Sequence, residues 1–344
     1  MKIVSSKPTI TRKELEGVLD CLIKDELVTG STVKTFESAI SDLVGLKYVL
    51  ATSSVTAAWH LAFSALELDG ESEVILPSFF PQAALNALQL TGATPVLVDC
   101  DENSPFPATD DIKAKITEKT KAVAISHLFG YHADIKELYE LPIPLIEDIS
   151  QAIGTEIEDE SVGHGAAFCI LAFSPEMILT TGNGGMVLTG NSRHFSTMRD
   201  LRGGKDGHIH FDYMMSDFQG AMGISQLMKL KSFLKRRRSI AKIYADALRI
   251  TSHKSLFIYD DNFAYQSYPV IFDSPAEKAS KFWKKNGIEL AKALEHPLHS
   301  ILGLRGLDYP NSDRLSKKLY AIPLYPTLTK KEIEKVAKSL SSFI

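Results

Sequence analysis

Three segments of the sequence carry residue types that could hold a phosphorylated ligand or move a proton. Residues 52–58 form a hydroxyl-rich turn, Glu147 and Asp148 are adjacent acids followed by Gln151, and residues 180–185 are rich in glycine. Free N–H groups and hydroxyls at the start of a helix can bind phosphate, or the hydroxyls can simply cap the helix. A carboxylate of the acidic pair could likewise cap a helix or form a salt bridge with a protonated ring nitrogen. The local sequence leaves both alternatives open.

The glycine-rich segment Thr-Thr-Gly-Asn-Gly-Gly at residues 180–185 does not match either common nucleotide-binding fingerprint. It is neither GxGxxG nor GxxxxGK[ST], and it leads into a strand and not into a helix. Dinucleotide binding by a Rossmann motif and phosphate binding by a P-loop are therefore both excluded for this segment.

Short apolar runs that alternate with helical patterns predict the elements that position these residues. Because the strand runs are apolar on both faces, they indicate an α/β fold with a mainly parallel, mixed sheet that helices cover on both faces. Ligands of such sheets bind at the carboxyl ends of the strands, where the three segments lie. Strands are predicted at 48–51, 73–76, 95–98, 122–126, 145–146, 168–173 and 185–189, and helices at 12–22 (after a Thr11/Glu14 capping box), 33–43, 56–68 and 82–90.

The last third of the chain has a different character. Residues 216–248 read as one long helical stretch, whose basic run Lys235–Arg238 we interpret as a solvated face and not as a nucleic-acid site. Residues 265–272 predict a strand, and residues 275–286 and 330–340 predict helices, typical of a smaller α+β lobe. We place the boundary within residues 248–262, which gives a large α/β domain at 1–250 and a small domain at 251–344.

Composition narrows the functional class. The 344 residues include 38 Lys and Arg against 42 Asp and Glu, so a net charge of −4 provides no general field for nucleic acid or an anionic membrane. The three cysteines are too few and scattered for a disulfide framework or a metal site. Neither a signal peptide nor an apolar run long enough to span a membrane is present, so we expect a cytoplasmic protein with no metal.

Taken in order, several motifs resemble those of the DegT/StrS-type sugar aminotransferases, fold-type-I enzymes that use pyridoxal phosphate (PLP). The motifs are IEDISQAIG at 146–154, TTGNGGMV at 180–187, SDFQGA at 216–221 and IPLYP at 322–326, and the resemblance extends over nearly the whole chain. It implies the fold-type-I architecture, a role in nucleotide-sugar or surface-polysaccharide metabolism, and a homodimer whose sites lie across the two-fold interface.

The resemblance also implies where this chain departs from the family. The family's Schiff-base lysine lies seven residues before the first glycine of the Gly-Gly pair that starts the next strand, and that residue here is Met177. A thioether can neither form an imine nor accept a proton as an amine does. The phosphate-binding serine of the family corresponds to Ala172, and the glycine of its phosphate turn corresponds to Val55.

At further positions this chain replaces some of the family's residues and keeps others. The aromatic residue that stacks on the cofactor ring corresponds to Pro81, although Phe79 or Phe80 could compensate, and an Asn and an Arg of the neighbouring subunit correspond to Asp212 and Met214. The residues retained at the cofactor position are Asp148 for the ring nitrogen, Gln151 beside the ring, and Thr56 with Ala57 at the phosphate turn. We expect Met177 to lie at the bottom of a cleft beside Asp148.

Three functional hypotheses follow from this pattern. The first is a non-transaminating family member that binds a nucleotide sugar or pairs with an active paralogue. The second is an enzyme, a sugar-nucleotide aminotransferase or dehydratase, that uses PLP or pyridoxamine phosphate (PMP) non-covalently. The third is a dimeric structural or interaction protein. Any PLP or PMP would bind weakly and without a covalent bond, or not at all.

Overall fold

A computed structural model describes residues 2–158, 160–204, 207 and 209–343 of the chain. Its strands are β1 Tyr48–Thr52, β2 Glu73–Pro77, β3 Thr94–Val98, β4 Thr120–Ser126, β5 Leu145–Asp148, β6 Glu156–Ile157, β7 Glu160–Ser161, β8 Phe168–Ala172, β9 Gly185–Thr189, β10 Lys254–Ser255, β11 Tyr268–Ile271, β12 Ala291–Lys292 and β13 Leu319–Ile322. Its α-helices are α1 Arg12–Ile23, α2 Ser31–Val44, α3 Val55–Ala65, α4 Gln82–Gln89, α5 Thr109–Lys113, α6 Ser192–Gly203, α7 Asp217–Leu227, α8 Leu230–Leu248, α9 Ala276–Lys285, α10 Leu298–Ile301, α11 Pro310–Lys318 and α12 Lys330–Ser342.

The larger sheet has the order β1-β9-β8-β5-β4-β2-β3 in the part of the chain that is described. All neighbours from β8 to β3 are parallel, whereas β9 runs antiparallel to both β1 and β8. The predicted α/β class with a mixed, mainly parallel sheet is therefore confirmed.

Both faces of this sheet are buried, as the apolar strand runs predicted. Along β1, Leu50 joins an apolar cluster that includes α3 and α4, while Val49 and Ala51 join a second cluster that includes α2. In β9, Val187 belongs to the first cluster, whereas Met186 and Leu188 belong to the second. Successive side chains of a strand point to opposite faces, so alternation delivers apolar groups to two helix layers at once.

A second, four-stranded sheet with the order β10-β11-β13-β12 lies in the last third of the chain. It shares an apolar cluster with α8, α9, α11 and α12. Ile3 near the N terminus also reaches this lobe, because it forms a parallel bridge with Ile288. Among the described residues no helix is long and apolar enough to cross a bilayer.

The helical stretch at 216–248 is not a single helix. It divides into α7 and α8 at Met228 and Lys229. Lys229 turns its ammonium group toward the N-terminal segment, where it pairs with Glu14 and donates a hydrogen bond to the carbonyl oxygen of Thr9 at 3.2 Å. The break lets α7 pack on α1 and α2 while α8 packs on α12.

The interpretation of the basic run as a solvated face is wrong. Arg237 is buried, and Arg236 donates a hydrogen bond from Nη2 to the carbonyl oxygen of Leu328 at 2.7 Å. Arg238 donates from Nε to the carbonyl oxygen of Phe263 at 2.9 Å and from Nη2 to that of Gly154 at 3.2 Å. Of the four residues only Lys235 is exposed. The arginines therefore satisfy backbone oxygens of loops that α8 crosses.

We expect Arg238→Ala to lower the free energy of unfolding by about 1–3 kcal/mol, because it leaves at least two carbonyl oxygens without their charged donor. Lys235→Ala on the same helix should change it by less than about 0.5 kcal/mol. Urea denaturation of both variants measures the difference. Equal, small effects would show that the loop contacts of Arg238 do not contribute to stability.

Candidate functional site

The carboxyl ends of three parallel neighbours, β4, β5 and β8, meet at one edge of the large sheet. In the register of these strands Ser126 lies beside Asp148, and Asp148 lies beside Ile170. Both acids of the pair Glu147–Asp148 belong to β5. The sequence pattern places them after the strand, which it predicts to end at residue 146. Since adjacent residues of a strand point to opposite faces, the two carboxylates have separate surroundings.

Asp148 is a buried carboxylate held by hydroxyl and amide donors. Its Oδ2 accepts a hydrogen bond from the Ser126 hydroxyl at 3.2 Å, and its Oδ1 accepts one from the Ser150 N–H at 2.9 Å. The side chain is only 3% exposed, and burial raises the pKa of Asp148. Among the described residues no Lys, Arg or His forms an ion pair with it. A protonated ring nitrogen would supply the missing positive charge.

Glu147 forms a separate buried network that sequence analysis did not find. Its Oε2 lies 2.8 Å from Nε2 of His127, and its Oε1 accepts a hydrogen bond from the Tyr139 hydroxyl at 2.7 Å. Nδ1 of His127 accepts the N–H of Ala133 at 3.1 Å, so the proton of the neutral ring lies on Nε2 and is donated to Glu147. The alternation of side chains in a strand was the signal that could have separated Glu147 from Asp148.

Ala172 and Val55 lie in one assembly with Asp148. Ala172 pairs with Gly185 across β8 and β9, and a side chain at Gly185 would come within 2.7 Å of the Val55 Cα. The turn before α3 thus packs directly on the start of β9. On its other side, the N–H of Ala172 donates a hydrogen bond to the Ser150 hydroxyl at 2.8 Å. Ser150 links this assembly to Asp148 through its own N–H.

The hydroxyl-rich turn caps helix α3. Ser54 is the N-cap residue, and its hydroxyl accepts the N–H of Ala57 at 3.2 Å. Thr52 donates its hydroxyl to the carbonyl oxygen of Ser54 at 2.8 Å. Thr56 is partly exposed in the first turn, whereas Ala57 is buried. The capping interpretation of this turn is therefore observed directly, and the remaining N–H groups of the first turn are those that an anion would use.

Met177 is half-buried in a turn after β8, where its N–H donates to the carbonyl oxygen of Ser174 at 3.0 Å. Together with Gln151 and Phe129 it lines a cavity of about 160 Å³. Gln151 uses its side-chain oxygen to accept the N–H of Phe129 at 2.8 Å. That bond holds Phe129 in the left-handed backbone region, at φ 63°. The fold thus brings Met177 and Gln151 to one cavity, and Asp148 is not among the residues that line it.

The aromatic residues before Pro81 belong to the core. Phe79 and Phe80 are each 1% exposed, and the Phe80 ring packs edge-on against Trp59 at 5.9 Å between centroids. The Phe79 ring lies 6.5 Å from that of Phe129. Pro81 is the N-cap residue of α4. Phe80 therefore has its packing partner in the helix layer and offers no face to a ligand.

The segment that carries Asp212 and Met214 runs beside the turn of its own chain. Met214 forms an antiparallel bridge with Thr52, and the N–H of Ser53 donates to the carbonyl oxygen of Tyr213 at 2.9 Å. The side chains of Asp212 and Met214 are both exposed. Asp212 adopts the left-handed backbone region, with a φ of 52°.

Comparison with known proteins places this geometry in context. A GDP-perosamine synthase from Escherichia coli O157:H7 is 28% identical over 356 residues, which cover 98% of this chain and 97% of that protein. The aminotransferase TlmJ from Streptoalloteichus hindustanus superposes with a TM-score of 0.92 at 25% identity, over 99% of this chain and 98% of the other. NtdA from Bacillus subtilis, solved with bound PMP, superposes with a TM-score of 0.86 at 23% identity, over 96% and 82%.

The family assignment rests on a match that spans almost the whole chain. Residues 8–341 match the DegT/DnrJ/EryC1/StrS aminotransferase family. This range contains both sheets, the edge that carries Asp148 and the cavity at Met177. The chain belongs to the DegT/DnrJ/EryC1/StrS aminotransferase family.

Proposed function

We propose that the protein is a non-transaminating member of this family that acts in nucleotide-sugar or surface-polysaccharide metabolism. The observation that carries the proposal is that Met177 lines a cavity together with Gln151. We assign Met177 to the position of the family's lysine from the resemblance of the sequence motifs. A thioether has no amine with which to form an imine and no basic site for a proton taken from a substrate. The chemistry that defines a transaminase thus has no residue to perform it.

The remaining residues fit one end of PLP or PMP and not the other. Asp148 is a buried carboxylate that has no cationic partner among the described residues, which suits a protonated pyridine nitrogen. At the opposite end Ala172 has no hydroxyl for a phosphate, and Val55 adds bulk in the turn that would approach it. We therefore derive no reaction step through this cofactor.

The weakening expected at the phosphate can be estimated. A hydrogen bond to a charged group contributes roughly 1.5–3 kcal/mol. The loss of two such contacts weakens binding by about 10²–10⁴-fold at roughly 1.4 kcal/mol per factor of ten. The loss of the imine removes a covalent anchor in addition. This pattern favours a site that has been released from cofactor chemistry.

A role in binding or assembly remains for such a protein. The relative named as a GDP-perosamine synthase supports a nucleotide sugar as the ligand class. Helix α1 exposes Leu15, Leu19 and Ile23 with exposed fractions of 65%, 55% and 71%. An apolar face of this kind supports a homodimer, or a dimer with an active paralogue, because large apolar patches mark interaction surfaces.

The second candidate is an enzyme that holds PLP or PMP without a covalent bond. The retained carboxylate of Asp148 favours it, since this residue would pair with the ring nitrogen whether or not a lysine is present. The structural relative NtdA was solved with PMP. The first experiment below separates a covalent from a non-covalent cofactor.

We expect no reproducible phosphopyridoxyl adduct at one specific lysine after borohydride reduction of the purified protein and peptide mapping. The sequence has no lysine between Lys136 and Lys205, which lies outside the described residues, but the fold brings Lys7 and Lys292 to the cavity of Met177. The Lys292 ammonium is engaged by two backbone carbonyl oxygens at 2.9 and 3.0 Å. Lys7→Arg serves as the control: an adduct that is reproducible in the wild type and lost in this variant would overturn the non-transaminating proposal.

We expect Met177→Lys alone to fail to restore PLP binding, because the phosphate end stays incomplete and a buried lysine without its partner is costly. The triple variant Met177→Lys, Ala172→Ser, Val55→Gly should bind PLP measurably, at least about 100-fold more tightly than the single variant. Absorbance titration with PLP measures both, and a 4-keto sugar nucleotide tests for amino transfer. Equal affinities of the single and the triple variant for PLP would show that the phosphate-binding site is already intact.

We expect Asp148→Asn to stabilise the cofactor-free protein at pH 7–8, on the order of 1 kcal/mol. Because burial raises the pKa of Asp148, the folded state binds this proton more tightly than the unfolded chain does. The stability from protonation is complete below the unfolded pKa near 4 and is lost as pH rises through the folded pKa. The gain from Asn should therefore shrink as pH falls toward 4.

Urea denaturation as a function of pH measures this effect, with the exposed acid Glu118→Gln as control. An Asn at position 148 can still accept from Ser150 and donate to Ser126, so the variant changes charge and little else. If the protein holds PLP or PMP on Asp148, the sign reverses and Asn destabilises it.

A further inference from the structure

The cavity beside Met177 lies between the two sheets. Its wall includes Gln151 and Met177 from the large sheet's loops, Lys292 from β12, Arg237 from α8 and Ser5 from the N-terminal segment. A volume of about 160 Å³ equals that of roughly five water molecules. The space suits a compact ligand or one substituent of a larger ligand.

Arg237 is a buried cation without an anionic partner. Its side chain is 4% exposed, and burial lowers the pKa of Arg237 to about 10. Nη1 donates to the carbonyl oxygens of Tyr265, Gln266 and Leu324 at 3.1, 2.9 and 3.0 Å. In the described part of the chain no carboxylate lies within 4 Å of it. Burying a charge without a counter-charge is costly, so the site is electrostatically incomplete.

Two half-buried cations of the large lobe have carboxylate partners. Arg202 donates from Nη1 to Glu37 at 2.8 Å, and Lys229 pairs with Glu14. Arg237 differs from both in having only neutral carbonyl oxygens as partners. The difference points to an anion that the chain itself does not provide.

Two residues that line this cavity each carry a buried polar atom with no hydrogen-bond partner among the described residues. The atoms are Nε of Arg237, a donor, and Oε1 of Gln266, an acceptor. The amide nitrogen of Gln266 is already used, since it donates to the carbonyl oxygen of Glu176. Leaving such a buried atom unpaired is costly, because it has lost its hydrogen bonds to water. One ligand that both accepts and donates hydrogen bonds would satisfy the two atoms together.

The charged side chains on the wall favour an anion. Besides Arg237 they are Lys7, Lys292 and Glu176. Lys7 and Glu176 are exposed, and the Lys292 ammonium is directed to the carbonyl oxygens of Ser316 and Lys317. Three cations against one carboxylate leave the cavity positive, with the buried Arg237 as its least solvated charge.

We propose that this cavity binds a hydroxycarboxylate, with its carboxylate on the guanidinium of Arg237 and its hydroxyl donating to Gln266. An arginine binds carboxylates through N–H groups in a fixed fork, and the bond is strengthened by charge and by low exposure to water. The carboxylate can belong to a free small acid or to a sugar acid. This proposal goes beyond the proposed function, because it concerns Arg237 and requires no cofactor.

The methyl group of Met177 reports directly on ligands in this cavity. The full-length protein is labelled with [methyl-¹³C]methionine, and the Met177 signal is assigned by its loss in Met177→Leu. Glycolate is titrated against ethylene glycol, and D-glucuronate against D-glucose. We expect saturable shifts of the Met177 signal with the acids and none with the neutral partners. Tighter binding of glucuronate than of glycolate identifies a sugar acid, and the reverse identifies a free acid.

A matched pair of variants tests the charge requirement without disturbing the carbonyl contacts of Arg237. Ser267 is a half-buried residue on the wall. Ser267→Asp introduces a negative charge, whereas Ser267→Asn has nearly the same size and is neutral. We expect at least a tenfold loss of affinity for the acids in Ser267→Asp, and less than threefold in Ser267→Asn.

Arg237→Met should abolish acid binding, but it also removes the donor of three carbonyl oxygens and can unfold the chain. The Ser267 pair therefore decides the outcome. The proposal is overturned if the acids cause no saturable shift up to about 50 mM, or if both Ser267 variants bind them equally, because Arg237 would then serve only to bond the backbone. PLP titration is independent of this result, so failure of either proposal can be told from failure of the other.

Discussion

The parallel alignment of β4, β5 and β8 brings Ser126, Asp148 and Ala172 to one edge of the large sheet, and the candidate site depends on that alignment. A carboxylate removed from water needs either donors or a counter-charge. Asp148 has two donors, one from the end of β4 and one from the loop after β5. The Ser150 hydroxyl then accepts from Ala172, so the loop is tied to the end of β8. The arrangement around Asp148 is thus set by backbone geometry that persists whichever side chain occupies position 177.

Two buried charges, Asp148 and Arg237, lack an opposite charge within the described part of the chain. Asp148 lies on the large sheet, and Arg237 lies on the wall of the cavity that Met177 lines. A protein that binds no ligand at Asp148 would gain stability if this residue were neutral, since an unpaired buried charge is costly. The retention of Asp148 therefore favours a site that takes a ligand over a purely structural protein, whereas Arg237 also serves the backbone.

Helix α8 connects this site to the small lobe. Arg237 bonds the backbone before β11 and after β13, and Arg238 bonds the loops at Gly154 and Phe263. The same helix therefore supports the loop that leads into the small sheet and the far wall of the cavity. A ligand on Arg237 would contact the element that holds the two lobes together, which makes the cavity sensitive to their spacing.

The sequence by itself determined the α/β class, the positions of the main strands along the chain and the starts of α1 and α12. These depend on local patterns, because apolar runs, capping boxes and turn residues act within a few positions. It also pointed to Asp148, Gln151 and Met177 through short motifs. The different surroundings of Glu147 and Asp148 follow only when both residues are placed within β5. Adjacent residues of a strand point to opposite faces, so the two carboxylates have different partners.

Only the tertiary structure decided the environment of Arg237 and the division of the long helical stretch. Arg237 lies 60 positions after Met177, and its carbonyl partners lie up to 87 positions further on. A basic run on a helix gives no local sign of whether loops from elsewhere will supply carbonyl oxygens to it. Solvation of a charge is a property of everything that packs around it, so a pattern of neighbours along the chain cannot determine it.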